Sequence, residues 1–177
     1  MNPSSEPALT PAQRLIVLWG IGGVLLLLLQ AVYRLSRYAI EPWREGSLNT
    51  LQIVVCLVWI VIAAYSEGYK AFHLRFCPRV IARALHVARH PRPVHVVLAP
   101  AFCMALFHAR SRTKKVAWLT LILILCAIAL LRITPQPWRG IVDAGVVVGI
   151  GLGALSLLFH AAQTLSGQRP PASPELP

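Results

Sequence analysis

Apolar residues run without a charge from Leu15 to Tyr33, LIVLWGIGGVLLLLLQAVY. Nineteen helical residues rise about 29 Å, which matches a bilayer hydrocarbon core of about 30 Å. Three further runs have the same character: Leu48 to Tyr65, Val116 to Ile133 and Ile141 to Phe159. None of the four carries the strict polar–apolar alternation of a half-buried strand. The first run has the position of a signal peptide. Only Arg14 precedes it closely, however, and no small-x-small cleavage site follows, so it reads as an uncleaved helix. A fifth apolar stretch, Val94 to Phe107, has fourteen residues and contains Pro100. At about 21 Å of helix it is too short to cross, and a re-entrant or interfacial element is expected there.

The pattern predicts an all-α polytopic membrane protein, a bundle of four transmembrane helices made of two helical hairpins. The first hairpin covers 14–66 and the second 116–160, with a basic, His-rich segment at 67–115 between them that holds the short element at 94–107. Residues 1–13 and 161–177 read as disordered cytoplasmic ends.

Composition agrees with this reading. The 177 residues are 56% hydrophobic, with a mean hydropathy of +0.64. Seventeen Lys and Arg face six Asp and Glu, and the basic residues flank apolar runs. That favours an anionic membrane surface over nucleic acid as the partner. Ten of the seventeen lie between 66 and 115. The positive-inside rule places that segment in the cytoplasm, and four crossings then put both termini there too. The inner side carries twelve basic residues against five outside: Arg34, Arg37, Arg44, Arg132 and Arg139. The expected location is the cell's inner membrane. Cys56, Cys77, Cys103 and Cys126 show no ligand spacing and read as reduced thiols, small hydrophobes where buried.

From Pro78 the sequence PRVIARALHVARH predicts a basic amphipathic helix along the inner interface. Arg79, Arg83, His86 and His90 form its polar stripe, and Pro91 and Pro93 end it. Arg79 and Arg83, with Arg110 and Arg112, are candidate ligands for a lipid phosphate. His86 and His90 are four apart on one helical face, a geometry that can hold a metal, although Arg83 and Arg89 nearby would repel a cation. A haem would need two His facing each other from different helices; His73, His108 and His160 are the candidates, and no attachment motif supports it. No cofactor is assigned. Glu67 is the only acid between Gly46 and Val142. It would pair with Lys70 or, facing the bundle beside His73 or His160, take or give a proton.

In the fourth run Gly145, Gly149 and Gly153 share one face, continued near Ser156, and allow close helix packing. Packing within the chain, a homodimer and a membrane-protein partner all remain open from this pattern. Asp143 reads as an anion in the first turn of that helix, favoured by the helix dipole.

An echo spans the two outer turns. RYAIEPWR and RITPQPWR place Arg37, Pro42, Trp43 and Arg44 ninety-five residues before Arg132, Pro137, Trp138 and Arg139. It reads either as convergent membrane-edge turns or as a parallel duplication of hairpins, with Arg44 and Arg139 able to pair with Glu41, Glu45 or Asp143. The function expected first is a small inner-membrane protein whose basic cytoplasmic face binds anionic lipid or a phosphate-bearing partner, in an accessory or assembly role. An enzyme acting on lipid through the His cluster and Glu67, with Glu67, His73 and His108 as its candidate catalytic residues, and a small transporter of two hairpins are the alternatives.

Overall fold

The computed structural model describes residues 9–165. Helix α1 covers Pro11–Arg44 and α2 covers Thr50–Ala63; a π-helical segment, Ala64–Phe76, leads into α3, Cys77–Arg89. Two short helices follow, α4 at Pro93–Val97 and α5 at Ala99–Cys103, then α6 at Ser111–Ile133 and α7 at Trp138–Leu165. There is no strand among the described residues. Among the described residues four helical stretches are long and apolar enough to cross a membrane: Pro11–Arg44, Thr50–Arg89, Ser111–Ile133 and Trp138–Thr164.

Local chemistry explains where the first two helices start. Thr10 Oγ1 accepts from Gln13 N while Gln13 Oε1 accepts from Thr10 N, a reciprocal capping box with Pro11 at the first helical position. Asn49 and Gln52 make the same box at α2. Gly46, at a φ of 63°, takes the left-handed turn after α1 that a side chain would resist.

Both helices are longer than their apolar runs. Helix α1 continues through Pro42 to Arg44, so Arg34, Arg37 and Arg44 lie on a helix and not in a loop. Its 34 residues rise about 51 Å. The helix from Thr50 runs unbroken to Arg89. Pro78 does not start a separate helix. It falls at the first turn of α3, just after the π-helical segment, where Cys77 N–H donates five residues back to Phe72 O, and a missing N–H costs least at such a position. The apolar limits expected at 13 and 161 are likewise passed: α1 starts at Pro11 and α7 ends at Leu165. Residues 1–8 and 166–177 of the two terminal segments lie outside the described residues.

Helix α7 is the centre. Antiparallel α1 lies on it, with Pro42 packed on Gly140 at one end and Val24 sharing a core with Leu157 at the other. The helix of α2 and the π-helical segment runs parallel to α7, from Cys56 beside Ile141 and Ala144 to Phe72 beside Gly153. Neither expected hairpin packs as a unit. Helices α1 and α2 meet chiefly through α7, and α6 has no buried residue.

The glycine face of α7 is filled by its own chain. Trp59 occupies the space a Cβ would need at Gly145, Glu67 that at Gly149 and Phe72 that at Gly153, where a Cβ would sit 2.6 Å from the ring. A homodimer or partner on this face would have to displace these side chains.

The largest departure from expectation is α3. It is a core element, and the stripe expected to be solvated is buried at Arg83, half-buried at Arg79 and His86 and exposed only at His90. Val80, Ile81, Ala84, Leu85 and Ala88 share a core with Val17, Ile21 and Val24 of α1, Cys103 of α5 and Leu157 of α7. The fourteen-residue stretch before α6 forms only α4 and α5, five residues each. Pro100 of α5 packs into the gap at Gly23 and Cys103 lies over Gly20, so its irregular backbone is covered by protein.

Candidate functional site

Arg83 is 1% exposed. Its Nε donates to Phe102 O at 2.6 Å, and one terminal nitrogen donates to Phe107 O at 3.0 Å and His108 O at 2.9 Å. The guanidinium carbon lies 4.2 Å from the centre of the Phe102 ring. The loop after α5 bends around this cation through Ala105 and His108, at φ of 61° and 47°, in the left-handed region that L side chains resist. Three carbonyls directed at a five-donor fork offset that strain. Arg83 was expected to face a phosphate; in the structure its Nε and one terminal nitrogen face backbone carbonyls inside the protein.

His95 is buried beside the same loop, its ring 4.9 Å from Phe102 and 4.7 Å from His108. Burial first, then the neighbouring His108, Arg92 and Arg83, push its imidazole below the ordinary range, so the neutral form is favoured. Burial pushes the Cys103 thiol up to about 12. His86 and His90 do come together, rings stacked at 4.7 Å, with His86 also facing Phe102. Among the described residues no group of three His, Cys, Asp or Glu is placed to hold a metal, so a metal at this pair would have two protein ligands.

The surface around this core stays basic. Arg89, Arg92, Arg110, Arg112, Lys114 and Lys115 are exposed, as is His90. Arg79 is half-buried, its Nε donating to Arg75 O at 2.8 Å.

A second polar group lies in the seam between the π-helical segment and α7. His73 Nδ1 lies 2.7 Å from Ser156 Oγ, and His160 Nδ1 lies 2.9 Å from Ser156 O and 3.4 Å from its hydroxyl. The two imidazoles meet edge to face at 4.8 Å. Ser156 and His160 are buried, and Cys77 Sγ donates to Gly153 O beside them. Glu67 lies on the same seam, against Gly149. Lys70, the neutralising partner expected from sequence, is placed over the Tyr65 ring instead, at 4.8 Å.

Glu67, His73 and His108 therefore do not form one site: His73 meets His160, while His108 meets His95. The two facing rings that a haem would need are present in His73 and His160, but they are joined through Ser156 with no gap for a macrocycle. Sequence reasoning noticed Ser156 only as a continuation of the glycine stripe. That stripe, three residues after Gly153, was the available signal.

At the other end of the bundle the two echo segments touch. Gln136 Nε2 donates to Glu41 Oε2 at 2.7 Å and to Tyr38 O at 3.3 Å, and Gly140 N donates to Gln136 Oε1 at 3.0 Å. The Arg139 guanidinium lies 3.6 Å from the Tyr38 ring centre, and its Nε is 3.7 Å from Asp143 Oδ2. Asp143 is 1% exposed. It is the sixth residue of α7, beyond the first turn, so it does not cap the helix as expected. Arg132 and Arg44 are exposed, and Trp43 and Trp138 are each 47% exposed.

Fold and site together define an all-helical protein with four helices capable of spanning a membrane, a basic connection between the second and third, and a polar seam against the fourth. The chain matches no family model, no curated protein and no solved structure.

Proposed function

We propose that the chain is a multi-pass inner-membrane protein, both termini cytoplasmic, that holds anionic lipid headgroups or a phosphate-bearing partner on its basic face. One observation carries this reading. Six Lys and Arg side chains are exposed on and beside the connection between the second and third candidate spans, Arg92 and Arg110 on it, Arg89 at the end of the second helix and Arg112, Lys114 and Lys115 in the first turns of α6, and the stretch from Arg89 to Lys115 contains no acid. Each such cation near an anionic leaflet contributes about 1 kcal/mol, and the sum needs no shaped pocket. The buried Arg83 contributes by fixing the fold of the loop from which Arg110 and Arg112 emerge. An accessory or assembly role fits a surface that recognises charge and a central helix whose packing face is already used.

The test is lipid retention. Full-length protein reconstituted in mixed phosphatidylcholine and phosphatidylglycerol, then extracted gently, should retain the anionic lipid in preference. The quadruple variant Arg110→Gln, Arg112→Gln, Lys114→Gln, Lys115→Gln should lose most of that preference with its helix content unchanged. Equal retention of both lipids by the unaltered protein would reject the proposal.

A further inference from the structure

Helix α6 is pinned at both ends and open in the middle. Near its start Trp118 Nε1 donates to Leu106 O at 2.9 Å, and the next two carbonyls of that loop, on Phe107 and His108, are held by buried Arg83. Just past its end Gln136 donates to Glu41 and to Tyr38 O of α1. One face of the helix carries both attachments: Thr113, Ala117 and Leu121 are half-buried near the start, and Leu131 near the end. Ile124 and Ile128 continue the same face, since the six positions step by four, four, three, four and three. Yet Ile124 is 51% and Ile128 42% exposed, and every residue from Ile122 to Leu130 is exposed. The face that meets the protein at Leu121 and again at Leu131 stands clear of it between them, over about 15 Å of rise.

We propose that an acyl chain of an anionic inner-leaflet phospholipid lies in this opening, along Ile124 and Ile128, with its phosphate on Arg112, Lys114 and Lys115. The inference rests on the lipid reading given above and adds a place for the chain. Charge selects the headgroup. Arg112, Lys114 and Lys115 are exposed in the first turns of α6, Arg110 is exposed just before them, and no acid lies between Arg89 and Lys115. The last turn of α6 carries Arg132 alone. Length suits the chain. Lys115 to Ile124 is nine residues, about 14 Å of rise, close to half of a hydrocarbon core of about 30 Å. A phosphate at Lys115 therefore brings its chain to the level of Ile124.

A helix from another chain fits the opening less well. A spanning segment has to leave the bilayer on both sides, and packed helix axes stand about 8–10 Å apart. Here α6 closes onto the protein at both ends of the opening. A crossing segment would have to be threaded through it, and threaded arrangements are essentially absent from folds. A lipid enters from one leaflet, and its chain stops near the midplane. The two isoleucine side chains offer it hydrocarbon and no hydrogen-bonding group.

The experiment compares phosphatidylglycerol and phosphatidylcholine carrying the same photoreactive diazirine in the acyl chain. Full-length protein is reconstituted with each, extracted into detergent with excess unlabelled phosphatidylcholine, irradiated and mapped by peptide mass spectrometry. The phosphatidylglycerol probe should be retained several-fold better. It should label Ile124 and Ile128 in preference to Ile122 and Cys126, which lie on the opposite face of α6. The triple variant Arg112→Gln, Lys114→Gln, Lys115→Gln, altered only at exposed positions, should lose that labelling. Retained phosphatidylglycerol that labels all sides of α6 equally, or only other helices, would overturn the inference and leave headgroup binding standing. Equal retention of both probes would reject the two together. A dimer in native mass spectrometry with Ile124 and Ile128 unlabelled would overturn it in favour of a second copy against this face.

Discussion

Gln136 donates to Glu41 at 2.7 Å, and the two residues hold the same place in the echoed sequence, each immediately before Pro-Trp-Arg. Two segments ninety-five residues apart thus meet through equivalent positions. They are not the same structure: the first Pro-Trp-Arg closes α1, whereas Trp138 and Arg139 open α7. Shared chemistry at the end of a bundle, half-exposed Trp and exposed or ring-stacked Arg, accounts for the likeness without a duplicated fold.

Gln136→Ala should loosen this junction. It removes the bonds to Glu41 and Tyr38 and the acceptor for Gly140 N–H, one of them charge-assisted. A loss of about 1–3 kcal/mol is expected for such a half-buried set, read by thermal or denaturant unfolding in detergent. A variant as stable as the parent would show that the junction is already open to water.

Arg83→Met should cost more. The apolar part of the side chain is kept, but three carbonyls lose their donor, and an unmet buried acceptor costs about 1–3 kcal/mol each. The loop from Met104 to Arg110 should then become a site of rapid limited proteolysis. Arg83→Lys should rescue little, because one ammonium lacks the planar fork that reaches Phe102, Phe107 and His108 together. Full rescue by Lys would mean that charge and not geometry holds the loop.

Gly153→Val should disrupt the seam, since Phe72 already fills the space beside that Cα. Overpacking of this kind costs about 1–3 kcal/mol or more. Leu123→Ala on α6, 61% exposed, should leave the stability of the isolated chain nearly unchanged. A comparable loss from both would show that α6 is packed in the working assembly.

Acidification should weaken the loop around His95. Burial favours its neutral form, so the folded chain takes up a proton less readily than the unfolded chain. The contribution is complete above the ordinary imidazole value of about 6.5 and falls away as pH drops below it toward the lowered value. Stability measured from pH 8 to pH 5 should show this slope, and His95→Phe should flatten it. An identical slope in that variant would assign the effect to another group.

The four long helices were legible in the sequence because run length and apolarity are local properties, and Thr10, Asn49 and Gly46 mark their ends with equally local chemistry. That Val94 to Phe107 forms no long helix was also readable, since fourteen residues with Pro100 cannot rise far enough. What sequence could not fix was which faces meet. The stripe of Arg79, Arg83, His86 and His90 has the spacing of a solvated face, and periodicity cannot show that α1, α5 and α7 cover the helix that bears it. Arg83 finds acceptors nineteen to twenty-five residues later; His73 finds Ser156 eighty-three residues away. The sequence alone determined that these four apolar helices form; only the tertiary structure decided how far they extend and which polar side chains meet, because buried donors and acceptors are matched across helices by packing and not along the chain.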